Sequence, residues 1–136
     1  MRRRQRPGRP STLSSNADAA RLAGEYHRAE RTLQRILAEH TNDARVAIVA
    51  FTLGRLQLAK LAAPKAAARS FTRAVRLGLP DALAEEGAAR VVEAHAKAGD
   101  IELARAAAKR YRQRFPRGSR SASVAAWIES DRSGPR

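Results

Sequence analysis

Three stretches of this chain rhyme. GEYHRAERTLQRILAEHTND begins at Gly24, APKAAARSFTRAVRLGLPD at Ala63 and GDIELARAAAKRYRQRFPRG at Gly99. Each opens on a turn or helix-start residue and then places an alanine: Ala29, Ala67, Ala104. A core candidate follows four positions later (Leu33, Phe71, Ala108) and another three after that (Ile36, Ala74, Tyr111). The three alanines lie 38 and 37 residues apart. That period suits a helix-turn-helix unit that cannot bury its apolar face alone, so neighbouring units must stack to share one core.

The intervening residues agree with a helical reading. From Ala17 to Trp127 the chain is dominated by Ala, Leu, Arg and Glu, with no alternating strand pattern, and these residues lose little freedom in a helix. Gly24 is read as an interruption, after which Tyr26, Ala29, Leu33, Ile36 and Leu37 keep helical spacing as far as His40-Thr41. Asn42 or Asp43 would cap the next helix, which carries Ala47, Ala50, Phe51, Gly54, Leu58 and Leu61 inward. Pro64 suits the first turn of a helix burying Ala67, Phe71, Ala74 and Val75. After Gly78-Leu79-Pro80-Asp81, a helix with Leu83, Ala88, Val91, Val92 and His95 runs to Gly99. Asp100 would cap a helix with Leu103, Ala104, Ala107, Ala108 and Tyr111 inward, and Ser119 a last short one through Val124, Trp127 and Ile128. The expected architecture is all-α: about three stacked antiparallel hairpins plus a capping helix over residues 16–130. An Arg/Pro/Ser-rich arm (1–15), too poor in apolar residues to offset its ordering entropy, precedes it, and a frayed tail (131–136) follows.

These residues resemble the tetratricopeptide repeat family. Gly24, Tyr26, Ala29, Leu33 and Ile36 match its pattern in the first unit; Gly99, Ile101, Ala104, Tyr111 and Pro116 match in the third; Leu53-Gly54 fits the first-helix signature of the second. Thr41 replaces the closing proline of the first unit, and Val91-Val92 stand where a Leu-Gly pair is expected. The RFPRGSRSASVAAWI close is also similar to C-terminal repeat regions of bacterial envelope and sigma-regulatory proteins, which would make the chain the interaction tail of a larger protein. The resemblance implies a short solenoid that binds a protein or peptide in its concave groove. The family's groove positions fall on Asp18, Arg21 and Leu22, on Phe51, Arg55 and Leu58, and on Glu86, Glu93 and Lys97. Arg55 beside Phe51 and Leu58 would hold a partner's carboxylate next to an apolar wall; the competing reading packs Phe51 and Leu58 against a neighbouring helix.

Charge supplies the alternative. The 136 residues hold 27 Lys and Arg against 13 Asp and Glu, a formal net charge of +14. An Arg- and Ala-rich composition is also what a GC-rich genome writes, so placement matters more than the total. Arg2, Arg3, Arg4, Arg6 and Arg9 crowd the first ten residues, and Lys109, Arg110, Arg112, Arg114, Arg117 and Arg120 form a second acid-free cluster. Arg2, Arg3, Arg4, Arg110, Arg112 and Arg114 are therefore the candidate contacts for nucleic acid or a membrane surface. A helix C-terminus accounts for two or three of these cations at a few tenths of a kcal/mol each. Aromatic residues make up only 4% of the chain, which leaves no stacking platform for single strands.

Little here points to catalysis. The chain has no cysteine, hence no thiolate nucleophile or zinc-thiolate site. His27, His40 and His95 form no helical ligand pair; His27 and His40 are expected near helix ends at the surface, and His95 on the Val91-Val92 face as a core or groove residue. Glu85 and Glu86, adjacent on one helix, diverge by about 100° and are read as a solvated first-turn pair. No cofactor, metal or enzymatic activity is expected. With no apolar run near the roughly 18 residues of a membrane span, the chain is placed in the cytoplasm, or in the periplasm if a targeting segment precedes Met1.

Overall fold

The computed structural model describes residues 11–40 and 44–132, with side chains from 16 to 40 and from 44 to 129. The described residues form six helices and no strand: α1 (Ser11–Glu39), α2 (Ala44–Ala59), α3 (Pro64–Leu77), α4 (Asp81–Lys97), α5 (Ile101–Arg114) and α6 (Ser121–Arg132). Each helix packs on its neighbour in sequence, α2 on α3, α3 on α4, α4 on α5, with α1 against α2 and α6 against both α4 and α5. The result is an all-α stack in which α2/α3 and α4/α5 are the two hairpins, extended by α1 at one end and closed by α6 at the other.

The expected first hairpin does not form. Gly24 lies inside α1, a single helix of 29 residues. An isolated glycine costs a helix only about 1 kcal/mol relative to alanine, and Gly24 has no cap, proline or second turn residue beside it. The working contrast is Gly99. There the backbone enters the left-handed region at φ 80°, Asp100 N–H donates to the His95 carbonyl and Gly99 N–H to that of Ala96, the double bond set that ends a helix on glycine. Ala29, expected inward, is exposed, whereas Ala67 and Ala104 are fully buried. α1 also begins at Ser11 rather than after residue 15, and α6 runs on to Arg132. The proposed cap at Asn42 or Asp43 lies outside the described residues.

The core sits between the hairpins and contains mostly alanine. Phe71, Val92, Tyr111 and Val124 are its largest fully buried side chains. Phe71 fits because Gly54 of α2 has no side chain: a Cβ there would lie 2.7 Å from the Phe71 ring. Phe51 closes on the same ring at a centroid distance of 5.6 Å. The repeat then exchanges large for small. Thirty-seven residues on, Phe71 corresponds to Ala108, Ala74 to Tyr111 and Gly54 to Val91, so bulk moves to the opposite position in each pair. The pair equivalent to Leu53-Gly54 is therefore Arg90-Val91, one residue earlier than the expected Val91-Val92, and a valine can replace the glycine there because no phenylalanine faces that position in the second hairpin.

Three capping and facing expectations need correction. Leu103 points out of the core, 53% exposed. Asp100 occupies the position before α5 but makes no side-chain cap bond; its carboxylate instead pairs with Lys65 Nζ at 3.1 Å. Ser119 does not cap α6, which starts at Ser121.

Glu85 performs that junction. Its Oε2 accepts from the Tyr111 hydroxyl at 2.5 Å, from the Arg120 backbone N–H at 3.0 Å and from Ser119 Oγ at 3.3 Å. Far from a solvated pair, Glu85 fastens α4 to α5 and to the start of α6, while Glu86 pairs with Arg90 at 3.4 Å and Arg120 at 3.8 Å. The Tyr111 hydrogen bond holds the Glu85 carboxyl below its ordinary value against the opposing effect of burial, and burial together with that carboxylate pushes the Tyr111 phenol up.

Candidate functional site

Three clefts open among the described residues. The first lies where α2 and α4 approach, a hollow of about 230 Å³ between Arg55 and Leu58 on one side and Arg90, Glu93 and Lys97 on the other, with Phe71 at its base. Four of the residues expected in a partner groove, Arg55, Leu58, Glu93 and Lys97, therefore meet at one place. Two others do not. Phe51 is 2% exposed and committed to Phe71, so its ring has no face to offer a partner. Arg21 stands on α1, exposed, between Asp18 at 3.3 Å and Glu25 at 3.9 Å, and does not line the hollow.

Electrostatics within this hollow is settled by one acid. Glu93, 7% exposed, receives Arg90 at 2.6 Å and Lys97 at 2.8 Å. Burial alone would raise its carboxyl, but the hydrogen bonds from Lys97 and Arg90 outweigh that and hold it low. Glu93 is thus a fixed internal counterion rather than a contact for a partner. Among the residues lining this hollow, Arg55, which reaches only the Phe51 ring at 5.8 Å, is the cation without an ion pair. Arg90, placed here by the helical spacing of α4, was not foreseen; an i, i+3 pairing with Glu93 was the available signal.

A second cleft, about 500 Å³, separates α1 from α3 over α2. It is crossed by a polar chain in which Ser70 Oγ donates to Gln57 Oε1 at 2.6 Å and Gln57 Nε2 donates to Glu30 Oε2 at 2.9 Å. Arg73 donates to the Leu37 carbonyl in the last turn of α1 at 3.1 Å. These bonds tie α1 to the first hairpin.

The third cleft, about 370 Å³, is its structural equivalent one repeat later, between α3 and α5 over α4. Val75, Ala88, Val91, Ala107 and Tyr111 line it, with Arg76, Arg110 and Arg114 at its edge. Of the expected anion contacts, Arg110 and Arg114 converge here; Arg112 is exposed and does not line the cleft. Arg76 joins them from another helix, beyond the reach of any local sequence pattern. Arg2, Arg3 and Arg4 lie outside the described residues.

The histidines do not come together. His27 and His40 are exposed, His27 within α1 rather than near its end and with its Nδ1 3.7 Å from Glu30 Oε1. His95 is partly buried with its Nδ1 enclosed and unpartnered; burial lowers its pKa, opposed by Asp100 and reinforced by Arg110 and Lys65. Among the described residues no group of His, Asp and Glu is placed to hold a metal ion, and no helix is long and apolar enough to cross a membrane. Comparison with protein-family models, with curated proteins and with solved structures finds no match.

Proposed function

We propose that this chain is a non-enzymatic interaction module of the tetratricopeptide-like kind, which binds an acidic segment of a partner protein on the face shared by α2 and α4. The observation that supports it is the hollow between Arg55, Leu58 and Lys97. Three cations (Arg55, Arg90, Lys97) line it; Glu93 holds Arg90 and Lys97, and Glu86 also pairs with Arg90, which leaves Arg55 without a counterion. The surplus positive charge beside an apolar wall suits a partner carboxylate flanked by an apolar residue. Repeats stacked in this way present a preformed surface, so little ordering cost opposes binding.

The test is affinity capture from nuclease-treated host lysate, with the wild-type chain and Arg55→Glu/Lys97→Glu as parallel baits. Both side chains are exposed, and an unchanged helical circular dichroism signal establishes that the variant is folded. A discrete protein retained at moderate salt by the wild type and lost by the variant is expected. Equal recovery on both baits would sink the assignment to this face.

A further inference from the structure

The α3/α5 cleft is set apart by its unbalanced charge. Each of the other two clefts contains an acid engaged with its polar residues, Glu93 in one and Glu30 in the other. No acid lines this one. Among the described residues Arg76 and Arg110 have neither an ion pair nor a hydrogen bond, and Arg114 only stacks over the Phe115 ring at 5.0 Å. Arg76 and Arg114 stand in the last turns of their helices, where the helix dipole favours cations. That accounts for two charges but not for their meeting Arg110, one turn before Arg114 on the same face, where like charges repel.

The floor specifies the rest of the ligand. Apart from the arginines, the lining is apolar except for Thr72 and the ring of Tyr111, whose hydroxyl is committed to Glu85. The backbone of the surrounding helices is already hydrogen-bonded within itself. A peptide strand laid on this floor would lose water from its amides and find few partners for them, a cost of about 1–3 kcal/mol per unpaired group. An alkyl chain carries no such groups. The cavity volume of about 370 Å³ lies within the range of roughly 300–1,000 Å³ common for small-molecule sites.

We propose that this cleft binds an anionic amphiphile, a single alkyl chain ending in a carboxylate or phosphate, with the chain along Val75, Ala88 and Val91 and the head held by Arg76, Arg110 and Arg114. The site is separate from the α2/α4 face and does not depend on its having a partner.

Titration of the full chain with decanoate and with decyl phosphate, each below its micelle concentration, tests this by calorimetry and by the methyl resonances of Val75 and Val91. Saturable one-to-one binding that shifts those methyls is expected from at least one of the two, and the tighter of them identifies the head group. Arg76→Ala/Arg110→Ala removes two exposed side chains and should weaken binding about tenfold or more, while Arg112→Ala leaves it unchanged. Inorganic phosphate and octyl glucoside, a head without a chain and a chain without charge, should not saturate the site. The proposal is overturned if neither amphiphile saturates, if the double variant binds as well as the wild type, if binding occurs only on anionic phospholipid vesicles, or if an acidic peptide displaces decanoate at lower concentration.

Discussion

The α1/α3 and α3/α5 clefts are one architectural position repeated, yet their contents are opposite. Gln57 and Ser70 place an amide and a hydroxyl in the first, and the residues 37 positions on are Ala94 and Ala107. Arg73 corresponds to Arg110 by the same count, but Arg73 reaches the Leu37 carbonyl at the end of α1, while Arg110 makes no hydrogen bond and the equivalent carbonyl, that of Ala74, accepts from Gly78 N–H. The hydrogen bonds of Glu30, Gln57, Ser70 and Arg73 thus make the first cleft a seam that holds α1. The second keeps its apolar floor and its cations open. Stacked repeats share a backbone frame, and equivalent positions can be filled differently both in the core, as at Phe71 and Ala108, and where a cleft opens between units.

The largest expected effect comes from breaking the exchange of bulk between the hairpins. Phe71→Ala should destabilise the chain by about 3–5 kcal/mol, because nothing else fills the space beside Gly54. Gly54→Val alone should cost about 1–3 kcal/mol by driving a side chain into the Phe71 ring. Combined, the two changes imitate the Val91/Ala108 arrangement of the second hairpin, and chemical denaturation should show the double variant more stable than the sum of its parts. Strict additivity would contradict the exchange.

Converting the first cleft to the second is the next step. Gln57→Ala/Ser70→Ala removes the buried polar pair and leaves Glu30 without its donor, at a cost of about 1–3 kcal/mol. The loss should be concentrated at α1, so that hydrogen exchange of amides around Leu33 and Leu37 accelerates more than that of α4. Uniform acceleration would mean that the chain does not act as the anchor of α1.

A smaller effect lies at the Glu85 junction, which has no counterpart in the first hairpin. Tyr111→Phe deletes one hydrogen bond to a partly exposed carboxylate and should cost about 0.5–1.5 kcal/mol at neutral pH. Since the folded carboxyl lies below its ordinary value of 4.5, its contribution is present in full above that pH and is lost as pH falls through the folded value. The wild type should therefore lose stability into acid more steeply than Tyr111→Phe. Parallel acid profiles would remove Glu85 from the account.

The smallest concerns the turns. Ala62, at φ 48°, occupies the position equivalent to Gly99 37 residues on, and an alanine held in left-handed conformation is strained by about 1 kcal/mol. Ala62→Gly should raise stability by up to about 1 kcal/mol, offset in part by the freer unfolded chain. No gain, or a loss, would show that the two turns are not equivalent.

How much of this was legible beforehand follows from the range of each signal. Helices bounded by Pro64, Gly78 and Gly99 were readable because proline and glycine act on their own turn of chain. Gly24 was misread for the same reason: the residue type signals a turn, whereas the outcome depends on flanking residues. Phe51 was placed on the correct helix, but which way a ring points is decided by the opposing helix, here by the gap that Gly54 leaves and Phe71 fills. Glu85 was taken as solvated because its partners, Tyr111 and Arg120, are 26 and 35 residues away. Arg55, Leu58 and Lys97, groove positions implied by the tetratricopeptide resemblance, line one hollow; Arg76 carries no such signal because it joins Arg110 and Arg114 across repeat-inequivalent positions.

The central claim is that the α2/α4 face receives the partner, and a residue-resolved titration tests it most directly. Backbone-amide NMR of the full chain, titrated with the captured partner segment, should show its largest shifts at Arg55, Leu58 and Lys97, with the α3/α5 cleft little changed. Shifts concentrated on Arg76, Arg110 and Arg114, or spread over the basic surface and abolished by moderate salt, would contradict it.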